Sequence, residues 1–152
     1  MSLRDRLHDL GLVLPAAPKP LAAYVPALKS GDFIYVSGQL PFHDGTLLFT
    51  GAVPDEVTLE QAQIAARQCL LNGLAAAAGV AGGLDYIAKL IQINGFVQSP
   101  AGFAQQPVVL NGASELALEL MGDAGKHTRT AVGVSSLPLN APVEISFIFT
   151  TR

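Results

Sequence analysis

Near the C-terminus the chain reads Val143-Glu144-Ile145-Ser146-Phe147-Ile148-Phe149-Thr150, and this stretch decides the fold. In an extended chain successive side chains point to opposite faces. Val143, Ile145, Phe147 and Phe149 therefore make one unbroken apolar face, which needs helices packed on it. Glu144, Ser146, Ile148 and Thr150 make the other face, where polar groups sit beside Ile148. The segment from Ile87 to Val97 alternates in the same manner, with Ile91, Ile93 and Val97 opposite Leu90 and Phe96. A sheet that is apolar on both faces is covered on both.

Outward from that strand, the chain supplies few helices to do the covering. Thr58-Leu59-Glu60-Gln61 has the form of a capping box. Behind it Leu59, Ala62, Ala66, Cys69, Leu70, Gly73, Leu74 and Ala77 recur at helical spacing, until Gly79 and Gly82-Gly83 end the helix. Pro107 suits the first turn of a second helix reaching about Met121. Gly31-Asp32 is a turn before the strand Phe33–Ser37, and Tyr24–Leu28 is its hairpin partner, kept to an edge or bulge by Pro26. His43-Asp44-Gly45 is another turn. Thr130–Val134 and Pro142–Thr150 are the last strands, read as a hairpin about Leu137-Pro138. The order β-β-α-β-α-β-β predicts an α+β two-layer sandwich, one mixed sheet with two helices on one face. The second cover must come from other copies of the chain.

Residues 1–14 suggest a short helix through Leu3, Leu7 and Leu10, and Pro15, Pro18 and Pro20 then impose an extended connector. Residues 1–20 are thus expected to be an N-terminal extension, and residues 21–152 a single domain. Half of the 152 residues are hydrophobic and only 14% are charged, apolar for a soluble chain and in keeping with an oligomer. No apolar run reaches the roughly 20 residues of a membrane span. A net charge of −3 and nine scattered Lys and Arg residues argue against nucleic-acid binding. The single cysteine, Cys69, fits a reducing, cytoplasmic setting, and three dispersed histidines offer no metal-ligand spacing.

Two charges stand out on the apolar strands. Arg129 opens one and Glu144 opens the next, so a hairpin would bring them together at its open end. From spacing alone an ordinary ion pair at a sheet end is the favoured account, and the scarcity of charges in this chain weighs against it.

The residues also resemble a known family. Ser37-Gly38-Gln39-Leu40-Pro41 is similar to the Ser-Gly-Gln-(Ile/Leu)-Pro segment of the YjgF/RidA family, also called endoribonuclease L-PSP. Arg129-Thr130-Ala131-Val132-Gly133-Val134, Leu137-Pro138 and Val143-Glu144-Ile145 follow its C-terminal signature in order and spacing. The likeness runs from about residue 20 to the end. It implies a chorismate-mutase-like fold, a trimer with clefts between subunits, no cofactor and no metal. It further implies hydrolysis of enamines and imines of the 2-aminoacrylate type to keto acids and ammonia. Carried over by position, Arg129 is the carboxylate-binding arginine and Glu144 the acid that positions water. Tyr24, Ser37, Gly38 and Asn111 complete the substrate cleft.

Departures from the pattern mark a divergent branch: Ala131 stands where Cys or Ser is common, His127-Thr128 where Pro-Ala is usual, and Ser146 where a second acid often lies. Each residue also has an ordinary explanation. Tyr24 can be a packed loop aromatic, Ser37 a strand-end hydroxyl, Asn111 a solvated helix position and Cys69 a small buried hydrophobe. His127, beside Arg129, reads as an exposed loop residue ahead of one that tunes the cleft or enters acid–base chemistry. Three functions compete. One is an imine deaminase; the second is a binding module that senses a keto acid without turnover. The third is an endoribonuclease or translation inhibitor, which the acidic balance opposes.

Overall fold

The computed structural model describes residues 1–19 and 23–152. Helix α1 spans Leu3–Asp9, with strands β1 (Ala27–Ser30), β2 (Phe33–Gln39), β3 (Phe42–His43) and β4 (Thr46–Leu47) after it. Helix α2 (Leu59–Ala81), strand β5 (Ile87–Gln98), helix α3 (Gln106–Met121) and strands β6 (Thr128–Val134) and β7 (Val143–Thr151) complete the chain. Five strands form one mixed sheet in the order β1-β2-β7-β5-β6, parallel only between β5 and β6. The predicted α+β sandwich with a mixed sheet is the observed one.

Local signals place the helices well. Thr58 and Gln61 close the expected capping box at the start of α2, and Gly82, at φ 94°, ends it in the left-handed conformation. Gly79 lies within the helix rather than ending it. Pro107 sits in the first turn of α3. The two helices approach closely because Gly112 has no side chain: a Cβ there would strike the Gln63 carbonyl. Over 18 residues α2 is apolar enough to cross a membrane, but 67% of that window is buried inside the protein, as befits a core helix.

Val143, Ile145, Phe147 and Phe149 are all buried beneath the helices, as the alternation requires. Along β5 the expected faces hold for Ile93 and Val97 opposite Phe96 and fail for Leu90 and Ile91. Leu90, Ile93 and Val97 point together into the core, because an irregularity between Leu90 and Gln92 shifts the register by one residue. Helix α1 is shorter than expected: Leu7 joins the core while Leu10 caps the helix and is exposed. It packs on α3 and the turn Leu84–Tyr86, on the helical side of the sheet.

The hairpin between β6 and β7 does not form. Strand β5 lies between them, pairing Ile93 with both Arg129 and Phe147. The connection from β6 to β7 therefore crosses the end of β5 and is clamped there by Gln98. Its side chain donates to Asn140 Oδ1 (2.8 Å) and accepts from the Leu137 backbone N–H (2.8 Å). Leu139 and Asn140 both adopt left-handed backbone, φ 57° and 58°, to make the crossing.

The face opposite the helices is open. Leu28, Phe33, Tyr35 and Val132 are exposed on it, beside half-buried Phe96 and Ile148. This is the unpartnered apolar face that the alternation demands.

Candidate functional site

Arg129 lies on the edge strand β6, level with buried Ile93, and so points to the helical side. There α3 offers it two acceptors one turn apart. Nη1 of Arg129 donates to Asn111 Oδ1 (2.9 Å) and to Ser114 Oγ (3.2 Å). No carboxylate pairs with Arg129 among the described residues. Its Nε and Nη2 hydrogens, on the fork's other edge, take no acceptor among them either. The guanidinium is exposed and oriented, with one edge free for a planar anion.

Behind Ser114 stands His127, half-buried rather than exposed. Its Nε2 lies 2.9 Å from Ser114 Oγ, and its Nδ1 lies 2.6 Å from the Gly125 carbonyl.

A second group assembles at the other side of the sheet. The Ser37 hydroxyl donates to the Val25 carbonyl (2.7 Å), which pins the segment carrying Tyr24 against β2. Gly38 follows, at a register irregularity between Val36 and Gln39. The Glu144 carboxylate packs directly on Gly38, so closely that any Cβ there would collide with it. Buried Asn72 of α2 fixes the loop beyond, donating to the carbonyls of Leu40 and Phe42 (3.0 Å each). Tyr24, Ser37, Gly38 and Phe42 line a concavity of about 230 Å³.

Glu144 is half-buried, and no positive group pairs with it among the described residues. Desolvation by burial raises its pKa above the ordinary glutamate value. Burial also pushes the Cys69 thiol far up, and the Glu144 charge adds to the effect, so this cysteine is inert at neutral pH.

The sequence-predicted residues therefore fall into two groups. Asn111 and Arg129 meet; Tyr24, Ser37, Gly38 and Glu144 form the other set. The expected approach of Arg129 to Glu144 within one chain does not occur. Arg129 pairs with Ile93 and Glu144 with Phe96, from opposite sides of β5. They are separated by roughly 10 Å across the strands and roughly 10 Å along them. Arg129 points to the helices and Glu144 to the open face. Sequence reasoning missed Ser114 and Asn72. A serine three residues after Asn111 shares its helix face, and an Asn inside an Ala- and Leu-rich helix must find partners; both signals were present.

The chain matches, over residues 4–151, the family described as "YjgF/chorismate mutase-like, putative endoribonuclease". It is 41% identical to the Trypanosoma cruzi protein TCP17 over 140 residues, covering 91% of this chain and 88% of that one. The crystal structure of Atu1372 from Agrobacterium tumefaciens superposes with a TM-score of 0.88 at 43% identity, over 98% of this chain and 91% of the other. Escherichia coli TdcF, solved with bound serine, gives a TM-score of 0.62 at 25% identity, over 90% of this chain and 93% of that chain. The family match runs along nearly the whole length, and the chain belongs to the YjgF/RidA family.

Proposed function

We propose that this protein hydrolyses reactive imines or enamines of amino acids, of the 2-aminoacrylate type, to 2-keto acids and ammonia. The observation that carries the reading is the Arg129 fork, oriented by Asn111 and Ser114 and without a carboxylate partner among the described residues. A fixed planar fork suits a substrate carboxylate, and the serine bound to TdcF is a small amino acid that carries one.

In this reading the site is completed between copies of the chain. The β6 edge of one protomer supplies Arg129 and Asn111, and its neighbour supplies Tyr24, Ser37, Gly38 and Glu144. Such a head-to-tail contact closes into a ring, and the family resemblance implies a trimer. It also covers the exposed Leu28, Phe33, Tyr35 and Val132. A buried free Cys69 accords with a reducing, cytoplasmic location.

The chemistry needs little apparatus. Arg129 holds the carboxylate and presents the adjacent imine carbon to a water held by Glu144. An enamine first takes a solvent proton on its β-carbon to become the iminium. The glutamate then removes a proton as water oxygen bonds to the iminium carbon and the C=N electron pair passes to nitrogen. Glu144 returns that proton to the nitrogen of the amino alcohol. As the C–N bond breaks, the hydroxyl loses its proton to the carboxylate and its electron pair forms C=O, releasing ammonia and the keto acid. A raised pKa suits Glu144 to taking a proton and giving it back. Spontaneous hydrolysis is already feasible, so orientation and one acid–base group suffice without a metal or cofactor.

Coupling the protein to an amino-acid oxidase or dehydratase tests the proposal. The expected result is faster keto-acid release, abolished in Arg129→Ala and in Glu144→Gln. A rate unchanged by the protein, or by loss of Arg129, contradicts it. Binding of 2-oxobutyrate that needs Arg129, without turnover, supports a sensing module instead.

A further inference from the structure

Ser114 and His127 have no part in the chemistry above, yet they stand directly behind the arginine it depends on. We infer that they form a positioning relay that locks the Arg129 guanidinium, an inference that rests on the reading of Arg129 as a carboxylate clamp.

The direction of the relay follows from proton counting. The Gly125 carbonyl can only accept, so at 2.6 Å it requires the proton on His127 Nδ1. In the neutral ring Nε2 is then a lone pair, and the Ser114 hydroxyl at 2.9 Å must donate to it. A serine hydroxyl has one proton. With that proton committed to His127, its remaining lone pairs are acceptors, and one receives Arg129 Nη1 at 3.2 Å. Arg129, Ser114, His127 and Gly125 thus form a chain in which each member donates to the next.

The relay does what Asn111 cannot do alone. A guanidinium held at one acceptor can still swing about that contact. Two acceptors on the same nitrogen fix its plane and aim the Nε–Nη2 edge outward. A serine without His127 would have a free rotor, able to turn its proton towards the arginine and repel it. His127 removes that option. Ser114 and His127 are therefore positioning residues, and their effect falls on carboxylate binding rather than on water attack.

Two measurements on the full-length protein test this. The first uses no ligand: the Arg129 guanidinium signals by nitrogen-15 NMR. The relay predicts restricted rotation in the wild type, with separate Nη signals. Averaged signals are expected in Ser114→Ala and in His127→Phe, which keeps a planar ring but removes both ring nitrogens, and separate ones again in Ser114→Thr. The second is calorimetric binding of 2-oxobutyrate. Loss of one charge-assisted hydrogen bond should weaken it about tenfold in Ser114→Ala, with Ser114→Thr within about twofold of wild type. In turnover KM should rise while kcat holds. The inference is overturned if Arg129 rotates freely in the wild type, or equally slowly in all variants, or if Ser114→Thr is as impaired as Ser114→Ala. If Arg129→Ala binds 2-oxobutyrate like the wild type, the clamp reading fails, and the NMR comparison still decides the relay. Should Ser114→Ala not fold, His127→Phe carries the same readouts.

Discussion

Gly38 and Glu144 are in such close contact that the glutamate carboxylate occupies the space a side chain at position 38 would need. The backbone of β2 thereby walls one side of the acid and holds it half-buried on the open face. Gly38→Ala is expected to displace the carboxylate, reducing keto-acid release at least tenfold and destabilising the fold by about 1–3 kcal/mol, as overpacking typically does. Adding Glu144→Ala to it should restore the thermal stability but not the activity. Denaturation of the single and double variants, measured as a cycle, checks this coupling.

The protonation of Glu144 has a definite sign. Its folded-state pKa lies above its ordinary value, so folding favours the neutral acid. Stability is then fullest below the ordinary glutamate range and declines as pH rises from there through the folded-state value. Glu144→Gln removes this penalty. It should melt higher than the wild type at pH 7, with the difference closing towards pH 3, in parallel thermal scans.

The same shift sets the activity profile. A base works only when ionised, so keto-acid release should fall on the acid side at an apparent pKa above that of a free glutamate. A kcat/KM profile between pH 4 and pH 9 measures the limb directly.

Asn111 offers a sharper test of the arginine. Its side-chain oxygen accepts from Arg129 without adding charge. Asn111→Asp would keep an acceptor but supply the carboxylate that Arg129 lacks. The expectation is weaker 2-oxobutyrate binding in Asn111→Asp than in Asn111→Ala, each at least about tenfold below wild type, by calorimetry. An aspartate that binds as well as asparagine would show that the free charge does not matter.

How far the sequence leads depends on the range of the interaction. The inward face of β7 and the cap of α2 at Thr58 and Gln61 depend on neighbours within a few residues, and both were legible. The pairing of β6 and β7 was not. Leu137-Pro138 looks like a turn, but β5, more than thirty residues upstream, pairs with both strands and displaces the hairpin. The inserted register shift near Leu90 is equally silent in sequence, since one irregularity reverses every following side chain. The site was read residue by residue, from motifs, and two of those residues, Arg129 and Asn111, are hydrogen-bonded. That Glu144 points to the other face is a property of the sheet order. His127 looked like a loop residue because its partners, Ser114 and the Gly125 carbonyl, come into range only when α3 packs beside β6.

The central claim is that Arg129 and Glu144 act together from two different copies of the chain. Co-expression of Arg129→Ala and Glu144→Gln chains carrying separate tags, followed by purification through both tags, tests it directly. Each variant alone should be inactive. In a mixed ring of three chains one site in every three brings an intact Arg129 to an intact Glu144, so roughly a third of the wild-type keto-acid release should return. Mixed assemblies as inactive as their parents would contradict the account, because a site contained within one chain can never be repaired by its neighbour.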